Sequence, residues 1–174
     1  MNPTDPTMHP KITLLGLVIV LALVGCSSAP SRPDARNWRG APDAAVASRL
    51  NLQQANDVTL HAISLVGTPY RYGGNTPETG FDCSGLIGYV YRTSAAVMAP
   101  RTVSALVGWG QQVPQQSLRS GDLVVFTQHG VAAHAGIYVG EGRFVHAPST
   151  GGDVRLDALD SKYWAKQQVS YRRP

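Results

Sequence analysis

The apolar period of this chain changes once, close to Ser117, and no other feature limits the fold so strongly. Upstream the spacing is helical. Residues 51–66 place Leu52, Ala55, Leu60, Ile63 and Val66 near one face, and Gly67 with Pro69 ends the run. Residues 84–93 read as a second helix with Leu86, Ile87 and Val90 inward, and residues 102–112 as a short third. Downstream the period is two. Residues 122–127, 134–139, 143–147, 153–156 and 168–171 read as short strands with Gly-rich turns. Helices followed by strands, without regular alternation, predict an α+β domain, with N-terminal helices packed on a central antiparallel sheet. About five to six strands are expected in that sheet.

The first 50 residues follow neither pattern. Residues 12–25 are mostly apolar and follow Lys11. They fall short of the roughly 20 that a spanning helix needs, so they read as a signal-peptide core. The run ends in Leu23-Val24-Gly25-Cys26-Ser27, which resembles a bacterial lipobox. That resemblance implies cleavage before Cys26 and acylation of Cys26. An ordinary signal peptide ending near a cysteine is the alternative, and Met8 is an alternative start. Acyl chains would anchor the protein at about 0.8 kcal/mol per buried methylene. Ser27, rather than Asp, resembles the sorting pattern for the outer membrane of Gram-negative bacteria. Residues 26–50, with Pro30, Pro33 and Pro42, read as the lipidated cysteine and a flexible tether reaching roughly 25–30 Å. Residues 51–174 form the expected folded domain.

Acylation of Cys26 leaves Cys83 as a lone thiol in an oxidising compartment, where it is either used or buried and inert. It stands in Phe81-Asp82-Cys83-Ser84-Gly85, where the second helix begins. Asp82 is a plausible N-cap. The helix N-terminus and a nearby imidazolium are expected to lower the thiol pKa and yield a thiolate. Of five histidines, His9 lies in the signal, His61 on the first helix and His129 in a turn. His134 and His146 lie on adjacent predicted strands around Gly140. Symmetric pairing about Gly140 would put the two directly opposite, about 4.5–5.5 Å apart at Cβ. His134, opening its strand before small Ala135 and Gly136, is then the base, and His146 orients it. Tyr70 is placed beside the developing oxyanion. Tyr72 reads as aromatic packing beneath the loop or as a substrate contact. Two histidines in one hairpin also invite a metal reading, but no third ligand sits at a usual spacing. No metal or other cofactor is expected.

A formal charge of +4 is scattered, without a Lys/Arg cluster or aromatic–basic interleaving, so nucleic acid is not an expected partner. Apolar residues make up 43% of the chain, enough for a globular core, and a monomer is expected.

Six segments together resemble the NlpC/P60 family of papain-like cell-wall cysteine peptidases. They are Gly67-Thr-Pro-Tyr-Arg-Tyr-Gly-Gly74, Phe81-Asp-Cys-Ser-Gly85, Pro100-Arg-Thr102, Gly121-Asp-Leu-Val-Val-Phe126, His134-Ala-Gly-Ile-Tyr-Val-Gly140 and Phe144-Val-His-Ala-Pro148. The resemblance implies Cys83 as nucleophile, His134 as base, His146 as the third polar residue and Tyr70 at the oxyanion. Asp82, Ser84, Tyr72 and Arg101 are the implied substrate contacts. Peptidoglycan stem peptides are the implied partner. Short lipoproteins of this family cleave the D-Ala–diaminopimelate crosslink, whereas others cleave between γ-D-Glu and the diamino acid. Another thiol amidase or acyltransferase, or an inactive wall-binding lipoprotein, remains open at this point. The loop from Tyr72 to Cys83 is about one residue longer than in similar sequences, and Ala99 stands where Leu often precedes Pro-Arg-Thr.

Overall fold

In a computed structural model, which describes residues 48–174, the first helix begins where a capping box closes on Asn51. The Asn51 side chain accepts from the Gln54 N–H, and the Gln54 side chain accepts from the Asn51 N–H. The expected signal peptide, Cys26 and the tether up to residue 47 lie outside the described residues. Ser48–Leu50, assigned to the tether, belong to the packed body: Leu50 is buried, and Arg49 N–H donates to the Pro174 carbonyl.

Helix α1 (Leu52–Ser64) turns a different face inward from the one expected. Ala55, Val58, Thr59 and Ala62 are buried, at i, i+3, i+4 and i+7. Leu52, Leu60, Ile63 and Val66 are exposed. Size decides this. The helix lies so close to Gly121 that an added Cβ there would sit 3.2 Å from Ala55, and only small side chains fit between. Helix α2 (Cys83–Ala95) buries Leu86, Ile87 and Val90 as expected, and Asp82 caps it by accepting from the Gly85 N–H at 2.7 Å.

A two-stranded ribbon, β1 (Asn75–Thr76) and β2 (Gly80–Phe81), leads into α2. The expected third helix is only one turn, α3 (Val103–Leu106), and its expected end at Gln111 and Gln112 belongs to strand β3 (Gln111–Val113). Trp109 is buried, and Gly110 at φ +81° breaks the helical path between them.

The remaining strands are β4 (Leu123–Gln128), β5 (Val131–Gly140), β6 (Arg143–His146), β7 (Arg155–Ala158) and β8 (Gln168–Arg173). They form a six-stranded antiparallel sheet in the order β3-β8-β4-β5-β6-β7. Helices α1 and α2 cover one face, over Leu123, Val125, Ala135, Ile137 and Val145. The other face carries an aromatic layer of Phe126, Phe144 and Trp164 with Val124 and Tyr171. Both faces are therefore covered, so β4 reads as a continuous apolar run.

The inward stripe of α1 is directly testable. Val58→Ala removes two buried methyl groups and should cost about 2 kcal/mol in denaturant unfolding. Leu60→Ala, though the larger truncation, should stay within about 0.5 kcal/mol of wild type. Equal losses would contradict this orientation.

Candidate active site

Helix α2 begins at Cys83, and one buried carboxylate builds the ground around it. Asp82 Oδ1 accepts from the Gly85 N–H, and Oδ2 accepts from the Gly73 N–H at 2.9 Å. Arg101 grips both oxygens, at 2.7 and 2.9 Å, and also donates to Ser84 Oγ at 2.6 Å. Ser84 Oγ donates to the Arg101 carbonyl at 2.7 Å. Gly85 permits this arrangement: a Cβ there would run into the Gly74 carbonyl, which crosses the first turn of the helix. Burial works to raise the Asp82 pKa, but the hydrogen bonds from Arg101 and Gly85 and the guanidinium charge outweigh it and hold it below the ordinary carboxylate value.

The sheet supplies the second half. Phe126 pairs with His134 and Thr127 with Ala132, so Ala133 is the extra residue of a β-bulge. Such bulges re-aim side chains. His134 is therefore the fourth residue of β5, three past Val131, rather than the one that opens its strand. The β5–β6 register also differs from the symmetric one. Ile137 pairs with Val145 and Tyr138 with Phe144, which sets Gly136, not His134, against His146. The shift is two residues, so both rings keep the same face as diagonal neighbours. Gly136 makes room, since a Cβ there would lie 2.7 Å from the Phe144 ring and 3.1 Å from His146 Cβ.

A continuous hydrogen-bonded line results. His134 Nε2 lies 2.8 Å from His146 Nδ1, and His146 Nε2 lies 3.0 Å from Asp157 Oδ2. The same Oδ2 accepts from Trp164 Nε1 at 2.8 Å and Arg155 Nε at 3.2 Å. Asp157 is held below its ordinary pKa: burial pushes it up, but the Trp164 N–H, the His146 ring and Arg155 prevail. An ionised carboxylate only accepts. So His146 carries its proton on Nε2 and presents bare Nδ1, and His134 carries its proton on Nε2. That leaves His134 Nδ1 as a free lone pair.

Two hollows meet at Ala133. One, about 510 Å³, is lined by Tyr70, Tyr72, Gly73, Asp82, Cys83, Ser84, Arg101, Thr102 and Val103. The other, about 360 Å³, is bordered by His134 and by Gln128, Pro148, Ser149, Arg155, Tyr163 and Trp164. Cys83 accepts backbone hydrogen bonds from Ser84 and from Ala135, the residue after His134. The structure thus gathers Tyr70, Tyr72, Asp82, Cys83, Ser84 and Arg101 on one hollow and places His134 on its neighbour. Tyr72 does not pack beneath the loop: it is 88% exposed and lines the cleft. Tyr70 is half-buried, and its pKa is raised by burial and then by Cys83 and Asp82. Among the described residues, no group of three or more His, Cys, Asp or Glu is arranged to hold a metal ion.

The resting electrostatics differ from the expected thiolate–imidazolium pair. Burial raises the Cys83 pKa, and the Asp82 charge adds to it; the N–H groups of Ser84, Ala135 and Cys83 oppose this without prevailing. Burial lowers His134 to about 3, with the His146 ring adding to the effect. Burial also lowers His146, to about 4, against the pull of Asp157. Thiol and both rings rest neutral near pH 7.

Sequence reasoning missed Asp157 and Trp164. The expected strand stopped at residue 156, one short of Asp157. Only the β6–β7 register, with His146 opposite Arg155 and Phe144 opposite Asp157, puts that carboxylate on the histidine face.

The sequence pattern of the NlpC/P60 family matches residues 67–173. Murein DD-endopeptidase MepH of Escherichia coli K12 is 39% identical over 132 residues, covering 73% of this chain and 49% of that protein. Gamma-DL-glutamyl hydrolase of Bacillus subtilis 168 is 38% identical over 118 residues, covering 67% of this chain and 28% of the hydrolase. The chain thus spans about half or less of the length of these two curated relatives. Among solved structures, an NLP/P60-family lipoprotein-like protein of Staphylococcus aureus Mu50 matches with a TM-score of 0.65 and 29% identity, covering 75% of this chain and 44% of its own.

The neutral rings carry a stability signature. Folding depresses both histidine pKa values, so between about pH 6.5 and 4 the unfolded chain binds protons that the folded one refuses. Stability is therefore full above pH 6.5 and falls as pH drops through that window, by up to about 1.4 kcal/mol per pH unit for each histidine. Denaturant unfolding at stepped pH should show this slope. His134→Gln with His146→Gln should flatten it, and an unchanged slope in the double variant would contradict the assignment.

Proposed function

The chain belongs to the NlpC/P60 family, and from that premise we propose that it is a cysteine peptidase hydrolysing amide bonds in peptidoglycan stem peptides. Cys83 is the nucleophile, His134 the base, and His146 the group that orients it. The observation that carries this reading is the line Asp157–His146–His134, which frees Nδ1 of His134, a residue on the hollow that meets Cys83's hollow at Ala133.

The resting thiol is neutral, so the proton moves as substrate is attacked. His134 Nδ1 takes the proton of Cys83 while sulfur bonds to the scissile carbonyl carbon. The N–H groups of Cys83, Ser84 and Ala135, already directed at the sulfur, are close to the developing oxyanion, and the Tyr70 hydroxyl is a further donor. The imidazolium then gives its proton to the leaving nitrogen, the C–N bond breaks and an amine departs. Water attacks the thioester, again losing a proton to His134, and the C–S bond breaks to restore the thiol. The imidazolium that forms twice per cycle is stabilised through His146 by the Asp157 charge.

The finer reading is a lipid-anchored enzyme acting on the D-Ala–diaminopimelate crosslink from the outer membrane. Its supports are the lipobox at Cys26 and the similarity to a protein named a murein DD-endopeptidase. The γ-D-Glu–diaminopimelate bond is the second reading, supported by the similarity to a gamma-DL-glutamyl hydrolase.

Digestion of purified sacculi, with muropeptides identified by mass spectrometry, tests the activity and names the bond. Wild type should release new stem-peptide ends and Cys83→Ala none; matching profiles from the two would end the peptidase reading. His146→Ala should lower kcat by roughly 10²- to 10⁴-fold with little change in KM. Asp157→Asn, which keeps an acceptor and loses the charge, should lower kcat less than Asp157→Leu. In cell fractionation, wild type should sediment with membranes and Cys26→Ser should not.

A further inference from the structure

The hollow on the imidazole side differs in charge from the one on the sulfur side. Arg155 is the charged side chain that lines it, 53% exposed, accompanied by the Ser149 hydroxyl, the Gln128 amide and the Tyr163 hydroxyl. Among the described residues, no acidic side chain lines it. Arg155 does contact Asp157, but the same Asp157 oxygen already serves His146 and Trp164. Asp157 itself stands outside the lining, and Arg155 stays half-exposed on it, so the guanidinium gives the hollow a cationic wall.

Acyl transfer fixes which half of the substrate lies here. The carbonyl half bonds to sulfur, and the nitrogen half receives its proton from the imidazole. The leaving amine therefore departs on the His134 side, into the hollow that Arg155 faces. We propose that this hollow binds the carboxylate of the diamino acid that leaves as the amine, and that Arg155 selects for it. This rests on the peptidase reading above. In the D-Ala–diaminopimelate crosslink, the carbon bearing the scissile nitrogen also bears a free carboxylate. In the γ-D-Glu–diaminopimelate bond of a tetrapeptide stem, the carboxyl on that carbon is tied up in the next amide. A cationic wall beside the leaving nitrogen therefore favours the crosslink.

The test uses purified crosslinked muropeptide dimers whose carboxylate beside the scissile nitrogen is either free or amidated. Wild type should cut the free form with kcat/KM roughly tenfold above the amidated form, the size of one charge-assisted hydrogen bond at a half-exposed guanidinium. Arg155→Gln should bring the ratio close to one, and Arg155→Lys should restore part of it. The ratio is insensitive to any effect of Arg155 on Asp157, because both dimers share the same machinery. A wild-type ratio near one, or a full preference retained by Arg155→Gln, overturns the carboxylate site and leaves the peptidase reading standing. Failure of wild type to cut either dimer while it still releases stem-peptide ends from sacculi overturns the carboxylate site alone, and failure on dimers and sacculi alike overturns both.

Discussion

One carboxylate oxygen governs this site. Oδ2 of Asp157 accepts from His146, Trp164 and Arg155, and as an acceptor it dictates where protons sit on two successive rings. His146 is fully buried and His134 nearly so, so protein partners rather than bulk solvent set their tautomers. The choice is made at the sheet edge, on β7, and passed inward through two hydrogen bonds. A neutral histidine as the orienting group would otherwise present either nitrogen. With the carboxylate behind it, it presents a defined one.

The same burial sets the resting charge. Desolvation is the largest influence on Cys83, His134 and His146, and in each case it favours the neutral form. The site is therefore not a standing ion pair. In the proposed mechanism its charges form together during attack, when the imidazolium is stabilised by both the oxyanion and the distal carboxylate in a low-dielectric setting. Asp82 is the counterpart on the helical side. It is ionised and buried, and its charge disfavours a resting thiolate while its hydrogen bonds hold the helix start and the adjoining loop in place.

The sequence disclosed the architecture and the principal residues unevenly, for physical reasons. The period change near Ser117 was enough to separate helices from an antiparallel sheet, because periodicity is a local property. Cys83, Asp82 and α2 were legible because cap, thiol and apolar stripe are contiguous. The inward face of α1 was not. Hydrophobicity pointed to Leu52, Leu60, Ile63 and Val66 along with Ala55, whereas only Ala55 of these is buried, with Val58 and Ala62, where the helix packs close to Gly121. The distance from a helix to the loop beneath it leaves no mark on the helix sequence. The shared face of His134 and His146 survived a register error of two residues, since side chains alternate with period two; an error of one would have separated them. Asp157 was invisible because only strand pairing at the far edge of the sheet connects it to His146.

Nitrogen-15 NMR of the histidine side chains reads the proton positions on the two rings directly. At pH 7, both His134 and His146 should be neutral with the proton on Nε2 and Nδ1 bare, and Asp157→Leu should leave a mixture of tautomers. An imidazolium on either ring at that pH, or a proton resident on His134 Nδ1 in the wild-type protein, would contradict these positions.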